Sequence, residues 1–299
     1  MELLRAWMRA EALEALLTEV APAMGDRANP RAVGPALPAA LALRAGTDGT
    51  GDLFSMRVGS PAAALALGAR PEELLRQALG RGTAPAQGRD PGGFPTDLDR
   101  GLLAPVSVPG LLVEVMAGMA LALRMRGTSR VALLVDDTAG SGAGDWHEGL
   151  NFAAVQRVPL VVVMDDLRRG ASEAAVESMA DRAEAYGFGL HTASGSDPAS
   201  VLAASRAAVD AARAGDGLQV VDVRPPGEDP LGTLVARTVA EGHLGEADLD
   251  ELRAAAAREM AGALDAVRAE PLPPPDAVQP FPLPSPPGLP RVRTPRPWS

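Results

Sequence analysis

The stretch that most constrains this fold is residues 130–169, which read RVALLVDDTAGSGAGDWHEGLNFAAVQRVPLVVVMDDLRR. Residues 131–135 and 160–164 are uninterrupted apolar runs, the pattern of strands that are buried on both faces. A glycine-rich loop and a helix predicted at 145–156 lie between them. Strands that alternate with helices of this length predict a parallel sheet covered by helices on both faces.

The same alternation continues on both sides of this stretch. Two more strands are predicted, a short one at 189–192 and a strong one at 218–223. Periodic apolar residues and helix stop signals predict further helices at 1–23, 36–45, 71–79, 111–124, 172–186, 198–212, 229–240 and 246–269. The fold class expected from this order is α/β, a three-layer parallel sheet with a C-terminal helix pair.

The composition changes sharply after residue 270. Residues 271–299 hold 12 prolines, which excludes regular structure other than the polyproline form. We therefore predict one α/β domain over residues 1–270 and a proline-rich C-terminal arm over residues 271–299. The glycine- and proline-rich stretch at 80–110 is expected to be a long connection inside the domain.

Composition excludes several kinds of chemistry. The chain has no cysteine, and its 28 basic residues are all arginine. Disulfides, cysteine-zinc sites, thiol nucleophiles and lysine Schiff bases are therefore excluded. The net charge of −10 argues against nucleic-acid and anionic-membrane partners. The first 20 residues predict an amphipathic helix rather than a secretory leader, and no apolar run is long enough to span a bilayer, so we expect a cytoplasmic protein.

The segment GDWHEGLNFAAVQRVPLVVV resembles the alpha subunit of the thiamine-diphosphate-dependent dehydrogenase component of 2-oxo acid dehydrogenase complexes, of the pyruvate and branched-chain types. More segments match in the family's order: PEELLRQALGRGT, LLVEVMAGMALALRMRGTSRVALL, MADRAEAYGF and EDPLGTLVARTVAEGHLGEADLDELR. Together they cover residues 30 to 270. The resemblance therefore implies the thiamine-diphosphate-binding fold.

The resemblance also implies an assembly and a reaction. Two alpha and two beta chains would form a heterotetramer, with thiamine diphosphate between them and Mg²⁺ joining its diphosphate to the alpha chain. The reaction would be oxidative decarboxylation of a 2-oxo acid with acyl transfer to a lipoyl carrier, the carbanion chemistry belonging to the cofactor. The helix at 111–124 would lie in a subunit interface.

The chain departs from the family at the metal motif. Aligned on residues 144–146, the family's Gly-Asp-Gly triplet falls on residues 137–139, so that Thr138 replaces the ligand aspartate. A slip of one residue would put Asp137 in its place. The family's Asn-Asn pair falls on Asp166 and Leu167, and a leucine side chain offers no oxygen to Mg²⁺. Asp137 and Asp166 remain the candidate metal ligands.

Other cofactor contacts are replaced as well. The family's loop histidine falls on Phe94, its Tyr-Arg pair on Val58 and Gly59, and its glutamine on Leu112. The histidine-bearing loop after the last strand is shortened to residues 224–230. Gly140 begins a glycine-rich turn before a helix, a place that can bind phosphate, although a flexible turn is the favoured interpretation. The vestigial cofactor site therefore comprises Phe94, Asp137, Thr138, Gly140, Asp166 and Leu167.

Electrostatics points in the same direction. Four aspartates follow the two central strands: Asp136, Asp137, Asp165 and Asp166. A diphosphate at these strand ends would meet uncompensated negative charge. The carboxylates could bind Mg²⁺ or Ca²⁺ without phosphate. The favoured interpretation is that they are solvated loop acids or pair with Arg168, Arg169 or other arginines.

Three hypotheses follow. The first is a divergent alpha-type subunit without catalytic residues of its own, with impaired or lost cofactor binding and a structural or regulatory role. It would pair with a beta-type subunit or a homologous alpha chain in a hetero-oligomer. The second is an active alpha subunit with a rebuilt Mg²⁺ and diphosphate site. The third is a metal- or ligand-binding α/β module that does not use thiamine.

Overall fold

The computed structural model of the protein describes residues 1–21, 33–57, 59–89, 94, 96–137, 140–165, 179–224 and 229–274. Its centre is a five-stranded sheet whose strands are β1 (Leu53–Met56), β2 (Ala132–Asp137), β3 (Leu160–Asp165), β4 (Gly189–Ser194) and β5 (Gln219–Arg224). The strand order is β1-β2-β3-β5-β4, and every pairing is parallel. The predicted parallel sheet is confirmed.

Ten helices surround the sheet in the described part of the chain. They are α1 (Glu2–Val20), α2 (Ala36–Ala40), α3 (Pro61–Ala66), α4 (Pro71–Ala78), α5 (Leu111–Met125), α6 (Gly144–Gln156), α7 (Met179–Tyr186), α8 (Pro198–Ala214), α9 (Pro230–Ala240) and α10 (Glu246–Arg268). Three begin with proline after a side-chain cap, in which Ser60, Asp197 or Asp229 accepts a bond from a first-turn amide. Proline suits this position because its missing N–H would be unpaired there in any case.

The sheet divides the core into two apolar layers. All six positions of β2 and of β3 are buried. Leu133 and Val163 pack with α2, α3 and α8 on one face, whereas Leu134 and Val162 pack with α5 and α6 on the other. Successive residues of a strand point to opposite faces, so a continuous apolar run fills both layers. This confirms the predicted three-layer architecture.

Helices α1, α4 and α10 form a separate apolar cluster beside the sheet. It contains Leu13 and Leu17 of α1, Leu75 of α4, and Met260 and Leu264 of α10. Within the described residues, no helix is long and apolar enough to cross a membrane.

The structure differs from the predicted elements in four places. Strand β1 and helix α3 were not predicted, because each is short and lies in a stretch rich in glycine, proline and alanine. The predicted helix at 36–45 ends at Ala40, and the first helix ends at Val20. Residues 172–178 of a predicted helix and residues 275–299 of the predicted arm lie outside the described residues.

Candidate functional site

The candidate site lies at the carboxyl edge of the sheet, where β2 and β3 end side by side. Asp137 of β2 is in register with Asp165 of β3. Asp136, Asp137 and Asp165 are 2%, 7% and 8% exposed. The expectation that these acids are solvated loop residues is therefore wrong for these three, because the strands extend through them and the core covers them.

Arg57 partly compensates this acidic edge. It directly follows β1, and its Nε lies 3.6 Å from Oδ1 of Asp136 while its Nη2 donates a hydrogen bond to Oδ2 of Asp137. Pairing with an arginine was expected, but the arginine is not one of those named from the sequence. The signal that could have found it is its position directly after the short LFSM run, which pairs with β2.

The turn after β2 is shaped around the same two carboxylates. The amide of Asp137 donates to Oδ1 of Asp136 at 2.9 Å, and the amide of Gly140 donates to Oδ1 of Asp137 at 3.2 Å. A Cβ at Gly140 would lie 2.9 Å from both carboxylate oxygens of Asp136. The amide of Gly140 is therefore bonded to Asp137, and the carboxylate of Asp136 occupies the space beside its Cα, where a phosphate would otherwise approach.

Asp136 is incompletely satisfied. Its Oδ2 is buried and has no hydrogen-bond partner among the residues that the structure describes. Burial raises the pKa of Asp136 to about 6, and the charge of Asp137 adds to this, while the Asp137 amide and Arg57 act against it. A buried carboxylate with an unmet oxygen is uncommon in a purely structural role.

Two of the predicted cofactor positions contact each other. The ring of Phe94 lies against the Cα of Gly59, where any Cβ at residue 59 would overlap the ring atoms. Phe94 is partly buried and packs against the α1, α4 and α10 cluster. The residues predicted to replace the family's histidine and arginine thus complement each other in shape.

A second group of contacting side chains connects α7 to the start of α6. Arg182 is 7% exposed, donates a hydrogen bond to the Ser141 carbonyl at 3.0 Å, and places its guanidinium 5.0 Å from the centre of the Trp146 ring. Burial lowers the pKa of Arg182. Nδ1 of His147 lies 2.6 Å from the Tyr186 hydroxyl. These contacts dock α7 onto the helix that follows the glycine-rich turn, and sequence reasoning did not identify them.

Several predicted site residues cannot be placed. Val58, Thr138, Asp166 and Leu167 lie outside the described residues, so the metal pair of Asp137 and Asp166 stays a prediction. Among the residues that are described, no group of three or more histidine, aspartate or glutamate side chains could hold a metal ion.

Comparison with known proteins agrees with this fold. Residues 45–225 match the family model described as the dehydrogenase E1 component. The chain belongs to this family. The resemblance to alpha subunits of 2-oxo acid dehydrogenases is confirmed, and the match includes the whole sheet with both sides of the candidate site.

Individual relatives share part of the chain. It is 29% identical over 163 residues to the alpha subunit of acetoin:2,6-dichlorophenolindophenol oxidoreductase from Bacillus subtilis (strain 168), covering 53% of this chain and 49% of that protein. It is 30% identical over 165 residues to the 2-oxoisovalerate dehydrogenase subunit alpha of the same organism, covering 53% and 50%.

A third relative is the pyruvate dehydrogenase E1 component subunit alpha of Staphylococcus aureus (strain Mu50 / ATCC 700699). It is 33% identical over 125 residues, which are 40% of this chain and 34% of that protein. The chain thus matches half, or less, of the length of these relatives.

Proposed function

We propose that this protein is a divergent alpha-type subunit of a 2-oxo acid dehydrogenase assembly whose own half of the thiamine diphosphate site has been lost. Its role in the assembly is structural or regulatory. The observation that carries this proposal is the contact between Phe94 and Gly59. The Phe94 ring occupies the space that any side chain at position 59 would need, so the two replacements fit each other and are more than a single missing side chain.

The charges at the strand ends support the same conclusion. A diphosphate with Mg²⁺ needs cationic or N–H donors for the phosphates and free oxygen ligands for the metal. Here Arg57 is bound to Asp136 and Asp137, and the Gly140 amide is bound to Asp137. The described residues therefore do not fit thiamine diphosphate with Mg²⁺, and no catalytic step is assigned to this chain.

The outer face of α5 and α6 supports a role in assembly. Arg124 near the end of α5 bonds Gln156 at the end of α6, so the two helices lie side by side. Their exposed apolar residues include Met125 and Val155, which are 78% and 70% exposed, together with Val115 and Phe152. Large apolar side chains exposed on two adjacent helices favour an interaction surface. A beta-type subunit or a homologous alpha chain is the partner that we propose for it.

Titration with thiamine diphosphate and Mg²⁺ tests the loss of the cofactor site. Calorimetry should show no tight binding of thiamine diphosphate and Mg²⁺, either by the chain alone or by the chain with its co-purified partner. The double variant Thr138→Asp with Leu167→Asn should also fail to bind tightly, because positions 59 and 94 remain blocked. Tight binding by either protein would overturn the proposal.

The same titration decides whether the subunit is active with a rebuilt site. Cofactor binding and 2-oxo acid decarboxylation by the complex, both abolished by Asp137→Ala, would support that alternative. The observation that favours this alternative is the position of Asp137. It is the last residue of β2 and is in register with Asp165 of β3, where a metal ligand would lie.

Sedimentation velocity tests the assembly surface. Phe152→Glu with Val155→Glu should dissociate the native complex, because it places charge inside the apolar contact. Val239→Glu is the matched control, since Val239 is an exposed valine on α9, away from this face. A monodisperse monomer of the unmodified chain, with its partner co-expressed, would contradict the interface.

A further inference from the structure

The end of α10 is fastened to the segment that follows α4. Nε–H of Arg76 is shared between the two oxygens of the Glu270 carboxylate, at 2.7 and 2.8 Å, and the hydroxyl of Thr83 donates a hydrogen bond to the same carboxylate. The Glu270 carbonyl accepts a bond from Arg81 at 3.0 Å. The hydrogen bond from Arg76, followed by that from Thr83, lowers the pKa of Glu270. One residue thus contacts three side chains spread over a helix and a loop.

The next residues continue this attachment through the backbone. The amide of Gly82 donates to the Pro271 carbonyl at 3.1 Å. Pro273 lies against Gly82 and Gly88, and a Cβ at Gly82 would be 3.4 Å from its Cα. Leu272 points outward and is 66% exposed. At residues 271–273 the chain is therefore held by one main-chain bond and by the contacts of Pro273 with two glycines, while the side chain of Leu272 makes no buried anchor.

The segment 81–89 has little structure of its own. Within the segment, the main-chain bonds are three turn contacts, from Ala84 to Arg81, Gln87 to Ala84 and Arg89 to Ala86, and the amide of Arg81 also donates to the Arg76 carbonyl of α4. Gln87 has a φ of 53°, a strained conformation for a residue other than glycine. The buried Gln77 of α4 also contacts this segment, by a bond from its amide nitrogen to the Arg89 carbonyl and by a bond that its oxygen accepts from the Ala86 amide. A segment with so few internal bonds depends on whatever lies against it.

We propose that residues 270–274 are a strap that keeps segment 81–89 closed on α4, and that releasing the strap opens this segment while the sheet stays folded. The strap is a conformational device that joins the root of the proline-rich arm to the connection leading to Phe94. It goes beyond the proposed function and does not depend on it, because it involves neither the cofactor positions nor the outer face of α5 and α6.

Amide hydrogen exchange on the full chain tests the strap. The variant Glu270→Ala with Pro273→Gly removes the carboxylate and the proline contact, and peptides within 81–89 should then exchange about tenfold faster or more. Peptides of β2 and β3 should exchange at the unmodified rate. Glu251→Ala is the matched control, because Glu251 pairs with Arg258 on the exposed side of α10, and it should leave 81–89 unchanged.

Two truncations sharpen the result. A chain ending at Pro274 keeps the strap and should protect 81–89 as the full chain does, whereas a chain ending at Ala269 should not. Unchanged exchange at 81–89 in the double variant would overturn the proposal. Equal acceleration in β2 and β3 would also overturn it, because residues 270–274 would then support the whole fold. The cofactor titration is unaffected by either outcome, so the two proposals fail separately.

Discussion

The sheet buries aspartates paired with an arginine at both ends of its strands, at an amino edge and at a carboxyl edge. The carboxylate oxygens of the two groups are hydrogen-bonded to very different extents. At the amino edge, Asp52 is 1% exposed. It accepts bonds from the amides of Arg44 and Val131, at 2.8 and 2.9 Å, and from both terminal nitrogens of Arg213, at 3.1 and 2.7 Å. Each carboxylate oxygen has one main-chain and one guanidinium donor.

At the carboxyl edge, two carboxylates share one guanidinium. Arg57 reaches Asp137 by a hydrogen bond but approaches Asp136 only to 3.6 Å. Oδ2 of Asp136 has no hydrogen-bond partner within the described residues, and burial raises the pKa of this side chain. The desolvation of Asp136 is therefore not fully offset.

The difference separates a structural role of a buried aspartate from a position where the fold binds ligands. A buried charge is a structural element when each of its oxygens is satisfied, as in Asp52. In open parallel sheets, ligands bind outside the carboxyl ends of the strands. Asp136 lies at that edge with one carboxylate oxygen that has no hydrogen-bond partner among the described residues, which is consistent with the proposal that a binding site there has been lost while the scaffold was kept.

The largest expected effect is at the amino edge. Asp52→Asn removes the charge that faces Arg213 and should lower the free energy of unfolding by about 3 kcal/mol. Urea unfolding at pH 7.5 measures it. Asp48→Asn is the control, because Asp48 lies in the same segment but is exposed. A loss below about 1 kcal/mol would mean that the saturated geometry carries no special stability.

An intermediate effect is expected for Arg57→Met. The change removes the guanidinium that contacts both Asp136 and Asp137 and should cost about 2 kcal/mol at pH 7.5. The loss should shrink at pH 5, because protonation of Asp136, whose pKa is already raised to about 6, removes the repulsion. Arg126→Met, at an exposed arginine after α5, is the control. An equal loss at both pH values would show that Arg57 acts by packing alone.

How much could be predicted from the sequence differs between the two edges. Strands β2 and β3 were predicted within two residues, because a continuous apolar run is a local signal. Strand β1 has four residues, one of them Ser55, and it is recognisable only by its pairing with β2, from Leu53 opposite Ala132 to Met56 opposite Val135. Missing β1 meant missing Arg57, which follows it directly.

From the sequence, the candidate site is predicted only through the replacement of side chains that the family has. The sequence indicates that the family's side chains are absent at positions 59 and 94, but it does not show that Phe94 fills the space at Gly59. Such a contact between distant segments has no local signature. In the same way, the aspartates after an apolar run predict a loop, whereas pairing with β3 extends β2 through Asp137 and buries it.

The smallest effect is expected for Asp136→Asn, and it is the direct counterpart of the change at Asp52. Since the folded-state pKa of Asp136 is raised to about 6 from an ordinary 3.8, the native state holds this proton more tightly than the unfolded state. Stability from this group is therefore fully present below pH 3.8 and is lost as the pH rises through 6.

Asp136→Asn replaces the carboxyl with an amide that does not ionise, so this loss of stability with rising pH disappears. The variant should have a free energy of unfolding about 1 kcal/mol higher at pH 8, with no gain near pH 4. Urea unfolding of both proteins across this range measures the difference. If Asp136→Asn instead costs as much as Asp52→Asn, the two edges are equally structural, and the carboxyl edge is not the remnant of a binding site.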